Sequence, residues 1–149
     1  MTELLRTTGD PVGVTVEDLK TASLAGYDWH RANLSGLNLD GLSFSGAKMR
    51  NAELRGVEAS MAKFDGANLI MASFRGAVCV KASFRRAHLR HADFSGAMLR
   101  DADFSGADLT GAKLAGSDVA GASFIGAALG DVDLSGCGLT EAQLAEVKK

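Results

Sequence analysis

Residues 83 to 94 read SFRRAHLRHADF and bring Arg85, Arg86, His88, Arg90 and His91 together in a chain whose formal net charge is only -2. Guanidinium groups grip phosphate or carboxylate, and imidazoles ligate metals or move protons. Charge is segregated around this stretch. From 66 to 92 there is no Asp or Glu, and Arg75, Lys81, Arg85, Arg86 and Arg90 give a local charge of +5. From 93 to 147 nine acids, Asp93, Asp101, Asp103, Asp108 and Asp118 among them, stand against Arg100 and Lys113, a local charge of -7. Either group is a candidate surface. What it can do depends on which side chains face outward, and so on the elements that carry them.

Those elements follow a period of five. From Leu24 to Leu144 an apolar or small residue recurs at every fifth position, 25 centres without an insertion or deletion, and all seven phenylalanines fall on that register. Two residues before each centre is a second small position, Ala in 18 of the 25 pentads. An α-helix has 3.6 residues per turn, so a five-residue apolar period would drift by about 140° per repeat and build no face. A single strand fails as well, because positions five apart alternate between its faces. A stacked coil with short sides and a turn at each corner accommodates five, the centre and the residue two before it pointing inward.

The pentads ADFSG at 92 to 96 and 102 to 106, and ADLTG at 107 to 111, resemble the consensus of the pentapeptide-repeat family over about 120 of the 149 residues. The resemblance implies an all-β chain, a right-handed quadrilateral parallel β-helix of four pentads per coil and about six coils. A 20-residue coil is consistent with a longer period in the sequence. The last pentad position is Gly in 11 of 12 cases at 26, 36, 46 and onward, but in 3 of 12 at 31, 41, 51 and onward. This alternation predicts that one pair of corners takes positive φ, where Gly is at ease, and that the other pair uses a turn open to any residue. On that reading Arg86, the one exception in the glycine column, sits at a strained corner and is retained for contact with a partner.

A solenoid exposes apolar surface at both ends and needs caps. Thr140 and Gln143 form a capping-box pattern, with Leu139 and Leu144 as a hydrophobic staple, and predict a C-terminal capping helix within 140 to 149, its dipole suited by Lys148 and Lys149. Thr15 and Asp18 predict an N-terminal cap over 15 to 23, after a mobile tail at 1 to 14 and before the solenoid at 24 to 139. Cys79 and Cys137 fall on inward positions about three coils apart, so buried free thiols are expected and a disulfide is not. Hydrophobic residues are 46% and charged residues 23%, with no run of about 18 apolar residues, so a soluble cytoplasmic protein is expected.

In the five-residue register Arg75, Lys81, Arg85, Arg86, His88, Arg90 and His91 are all outward, a positive waist on the outer wall. His88 and His91 are too few for a metal site, even with Asp108 stacked 20 residues after His88, and no metal or other cofactor is expected. Nucleic-acid binding has the charge but lacks exposed aromatics for base stacking, since every Phe points inward. The inward positions are Ala, Leu, Phe, Val, Met and Cys with Ser117 and Tyr27 as the main polar exceptions, a filled column with no catalytic pocket. The expectation is a non-enzymatic protein-interaction rod of unknown partner. The resemblance adds an alternative. Family members that bind type II topoisomerases imitate duplex DNA, so the acids Asp93, Asp101, Asp103, Asp108 and Asp118 would face DNA gyrase or topoisomerase IV. The resemblance also implies a homodimer through the C-terminal end.

Overall fold

The computed structural model describes Leu24 and residues 28 to 147. The expected tail at 1 to 14, the N-terminal cap at 15 to 23, Tyr27 and the terminal lysines Lys148 and Lys149 lie outside the described residues.

The five-residue register becomes a 20-residue coil. Among the described residues eighteen isolated parallel bridges link residues 20 apart, from Asp28 with Lys48 to Lys113 with Asp133, one per pentad at the position before the centre. Each strand is therefore very short. Stacking is carried by a regular ladder in which, for example, Phe84 N–H donates to Asp103 O at 2.7 Å and Asp103 N–H to Ala82 O at 3.0 Å. Four pentads thus make four sides: the first centred on Phe44, Phe64, Phe84, Phe104 and Phe124, the second on Trp29, Met49, Leu69, Leu89 and Leu109, the third on Leu34, Leu54, Phe74, Phe94 and Leu114, the fourth on Leu39, Ala59, Cys79, Leu99 and Val119.

The corners differ from the sequence expectation. Each centre's carbonyl accepts from the N–H three residues on, as Phe84 O does from Ala87 N–H at 3.1 Å, closing a four-residue turn. Positive φ occurs in both corner sets. It is +64° at Gly76 and +67° at Gly96, but also +60° at Met61, Met71 and Lys81, +58° at His91 and +57° at Arg86 and Asp101. One turn type, with the third residue left-handed as in type II, serves every side. The glycine column does not mark a different corner, and Arg86 is one of nine non-glycine residues that carry this strain among the described residues.

Inside, the centres and the small residues two before them form one apolar column. Phenylalanines on the first side stack at 4.9 to 5.3 Å, and edge-to-face contacts at 5.4 to 5.6 Å join them to Phe74 and Phe94 across the coil. Offset and edge-on arrangements match the ring quadrupoles. Alanine at the second inward position leaves the volume those rings fill. Ser117 is buried and donates its hydroxyl to Leu114 O at 2.7 Å, closing its polarity locally.

At the C-terminal end lies α1, Glu141–Ala145, a single turn inside the expected 140 to 149. Thr140 is its N-cap, accepting from Gln143 N–H while the Gln143 side chain accepts from Thr140 N–H, the expected reciprocal box. Gln143 Nε2 also reaches back to Val119 O at 2.8 Å and Ala122 O at 3.0 Å. In earlier coils the N–H of a corner residue such as Arg86 donates to a carbonyl 19 residues on; Gly126 N–H instead meets Glu146 O at 2.9 Å. Leu139 packs on the core, whereas Leu144 stays 45% exposed. Among the described residues no helix is long and apolar enough to cross a membrane.

Candidate functional site

The coil decides where each candidate residue stands. Arg75 lies on the third side, Lys81 at the corner from fourth to first, Arg85 on the first, Arg86 at the corner from first to second, His88 and Arg90 on the second, and His91 at the corner from second to third. All seven are exposed. The waist is a girdle around one level of the rod, and only Arg85 to His91 form a continuous arc. The acids scatter more widely: Asp93 on the third side, Asp101 at the fourth corner, Asp103 on the first, Asp108 on the second and Asp118 on the fourth.

Local chemistry explains most of those acids. An Asp or Asn before the centre accepts from the N–H two residues on, at 2.9 Å for Asp93 and Ser95 and for Asp103 and Ser105, and at 3.1 Å for Asp108 and Thr110 and for Asp118 and Ala120. The same bond recurs at Asn33, Asn38 and Asn68 with no charge at all. It is an Asx turn that satisfies a corner N–H. Asp103 and Asp108 further accept from the hydroxyls of Ser105 and Thr110. These carboxylates are turn parts first and surface charge second.

The girdle and the acids are also tied to each other. Arg75 pairs with Asp93 at 3.6 Å, Arg85 with Asp103 at 3.7 Å, Arg90 with Asp108 at 3.5 Å and Arg100 with Asp118 at 3.6 Å. Every pair spans 18 residues, because the arginine follows the centre of one coil and the aspartate precedes the centre of the next. The diagonal of 18, the 20-residue coil less two, comes from the stacking of the coils and not from the five-residue period. Asp65, 20 residues before Arg85, accepts through Oδ1 from the backbone N–H of Arg85 at 3.1 Å and from the Ser83 hydroxyl, not from the guanidinium. Exposed pairs stabilise by only about 0 to 1 kcal/mol each. Their larger effect is to neutralise the boundary between the basic and acidic halves.

Ionisation follows this geometry. Burial opposes the charge of Asp93 and Asp108, but hydrogen bonds from Ser95 and Thr110 and the charges of Arg75 and Arg90 outweigh it, holding both carboxyls below the usual range. The Asp133 carboxyl is lowered by its Ser135 bonds. Burial, with Asp40 adding to it, pushes the Cys79 thiol up to about 12. Cys79 and Cys137 are both buried and free, as the register predicted.

Arg86, Lys81, His88 and His91 have no carboxylate within 4 Å among the described residues. The Arg86 chain lies over the next coil, its Cγ 3.4 Å from where a Cβ on Gly106 would stand. Beside it a shallow notch of about 390 Å³ is lined by Asp65, Gly66, Arg85 and Arg86. A larger recess of about 740 Å³ lies between α1 and the last coil, lined in part by Asp118, Ile125, Cys137 and Gln143. Asp108 bridges with His88, but among the described residues no three metal-ligating side chains converge.

No curated protein matches the chain. Solved structures similar to it include a pentapeptide repeat protein of the Arabidopsis thaliana thylakoid lumen, 26% identical, covering 97% of this chain and 77% of that one with a TM-score of 0.45. A trypsin-treated variant of QnrB1, a plasmid-mediated fluoroquinolone resistance protein, is 24% identical over 81% of this chain and 79% of that one, TM-score 0.45. Rfr23, a pentapeptide repeat protein of the cyanobacterium Cyanothece 51142, is 21% identical over 68% and 86%, TM-score 0.36. The profile of the pentapeptide repeats matches in 8 copies at residues 18–51, 32–69, 67–106 and 102–140. The repeat register, the 20-residue stacking and that match agree: the chain belongs to the pentapeptide-repeat family, whose fold is a right-handed β-helix solenoid.

Proposed function

We propose that this protein is a non-enzymatic interaction rod of about six coils, working in the cytoplasm, capped at its C-terminal end by α1, that engages a protein partner through the basic girdle. The observation that carries the reading is the arc from Arg85 to His91, five exposed cationic or titratable side chains turning one corner of one coil with no carboxylate between them. The rigid ladder beneath fixes their spacing, so little ordering entropy is lost on contact. An interior filled by apolar side chains supports a role for the wall and not for an internal pocket.

The topoisomerase alternative draws less support. A DNA mimic needs its carboxylates free and aligned, whereas Asp93, Asp103, Asp108 and Asp118 stand on four different sides, each holding a turn and an arginine. End-to-end dimerisation has Leu144, exposed on α1, in its favour.

The ion-pair ladder dictates the test. Reversing Arg85 and Arg90, or Asp103 and Asp108, disturbs the same two pairs and cannot tell the surfaces apart. Arg86→Glu with His88→Glu alters the girdle alone, and Asp101→Lys with Asp131→Lys alters acids that are outside the ladder. Affinity capture of partners should be lost with the first pair and kept with the second. Retention by the Arg86/His88 variant, or inhibition of gyrase supercoiling that the Asp101/Asp131 variant abolishes, would refute the reading.

A further inference from the structure

Three stretches in the same register, GAKMRN at 46 to 51, GANLIM at 66 to 71 and RAHLRH at 86 to 91, lie one above another on the second side, joined by the Lys48–Asn68 and Asn68–His88 bridges. None contains Asp or Glu. The outer two coils are cationic: Lys48 and Arg50 in one, Arg86 and Arg90 in the other, all exposed. Lys48, Arg50 and Arg86 meet no carboxylate within 4 Å among the described residues. The coil between them carries no charge: Asn68 turns back to accept from Ile70 N–H at 3.2 Å, Ile70 is half-buried and Met71 is 52% exposed. Two coils at the strand spacing separate the cationic rows by about 10 Å.

From this alternation we propose that the second side binds an extended acidic segment of a partner protein, two carboxylates about three residues apart meeting the cationic rows and an apolar residue between them resting on Met71. An extended polyproline II chain advances 3.1 Å per residue, so residues three apart span about 9 Å, close to the row separation. Methionine is an adaptable apolar contact. A phosphodiester backbone has no apolar group for Met71 and finds no exposed aromatic here for its bases, so nucleic acid fits this surface less well. The proposal rests on the girdle as a protein contact and deepens it: the surface extends two coils beyond the arc, to Lys48 and Arg50, and the partner acquires a chemistry.

The experiment is fluorescence anisotropy of the full chain with a labelled peptide of four Glu-Leu-Pro repeats, whose prolines keep it extended. Saturable binding is expected. Lys48→Glu with Arg50→Glu should weaken it at least tenfold and Met71→Asp several-fold. Lys63→Glu with Lys113→Glu makes the same change in net charge on other parts of the wall, outside the girdle, and should leave affinity within twofold. Circular dichroism and melting temperature confirm that each variant is folded. Absence of peptide binding, equal weakening by both double variants, or tighter binding of a DNA duplex than of the peptide would overturn the proposal. If the peptide fails while partner capture still depends on Arg86 and His88, the acidic-segment inference falls and the girdle reading stands; if capture is also indifferent, both fall.

Discussion

Replacing Arg86 by glycine tests the physics of the corners directly. At φ +57° the Arg86 backbone is left-handed, a conformation that costs a residue with a Cβ about 1 to 2 kcal/mol and glycine almost nothing. Part of the gain is returned because glycine makes the unfolded chain more flexible, leaving a net stabilisation of about 1 kcal/mol. Little is lost in exchange. Arg86 has no ion pair within 4 Å among the described residues, and its stem covers only the open corner at Gly106. For a chain of 149 residues, about 1 kcal/mol raises Tm by roughly 2 to 4 °C. Thermal melts by circular dichroism read this shift. Lys81→Gly and Met71→Gly should behave alike, because both corners share φ +60°. If Arg86→Gly melts at or below the parent temperature, the corner strain is not as described. If only Arg86→Gly is stabilising, Arg86 is strained in a way the shared turn does not explain.

Other perturbations follow from the same geometry. Phe84→Ala removes a fully buried ring that meets four others at 4.9 to 5.5 Å and should cost about 3 to 5 kcal/mol in urea unfolding, whereas Phe84→Leu should cost much less. Asp103→Asn keeps the acceptor for Ser105 N–H and should change stability by under about 0.5 kcal/mol, while Asp103→Ala should lose about 1 to 2 kcal/mol; equal losses would mean that charge, not the turn, is what matters. The folded-state carboxyls of Asp93 and Asp108 lie below their ordinary range, so each contributes stability that is complete above the unfolded pKa and lost as pH falls through the folded one. The Tm should therefore be level near neutrality and drop below about pH 4, less steeply in Asp93→Asn with Asp108→Asn.

The sequence by itself determined the solenoid, its register and its inner wall, because an unbroken five-residue period permits one inward face and no helix or flat strand. It also placed Arg75 to His91 outside and Cys79 and Cys137 inside, since inward and outward are properties of the register. The α1 capping box was legible for the same reason, as a local pattern at fixed spacing. What it could not determine were relations between coils and the sign of a backbone angle. Glycine at alternate corners looked like two turn types, yet φ is positive at both, because the four-residue turn imposes it whatever the side chain. The basic waist and the acidic half read as rival surfaces in one dimension; in three, an 18-residue diagonal sets Arg85 beside Asp103 and Arg90 beside Asp108. Only the stacked coil brings those distant residues within 4 Å, and only it lines up Arg50, Ile70 and Arg90 along one wall, with Met71 at its corner. The period fixes which way a residue points, whereas the coil fixes which residue is its neighbour.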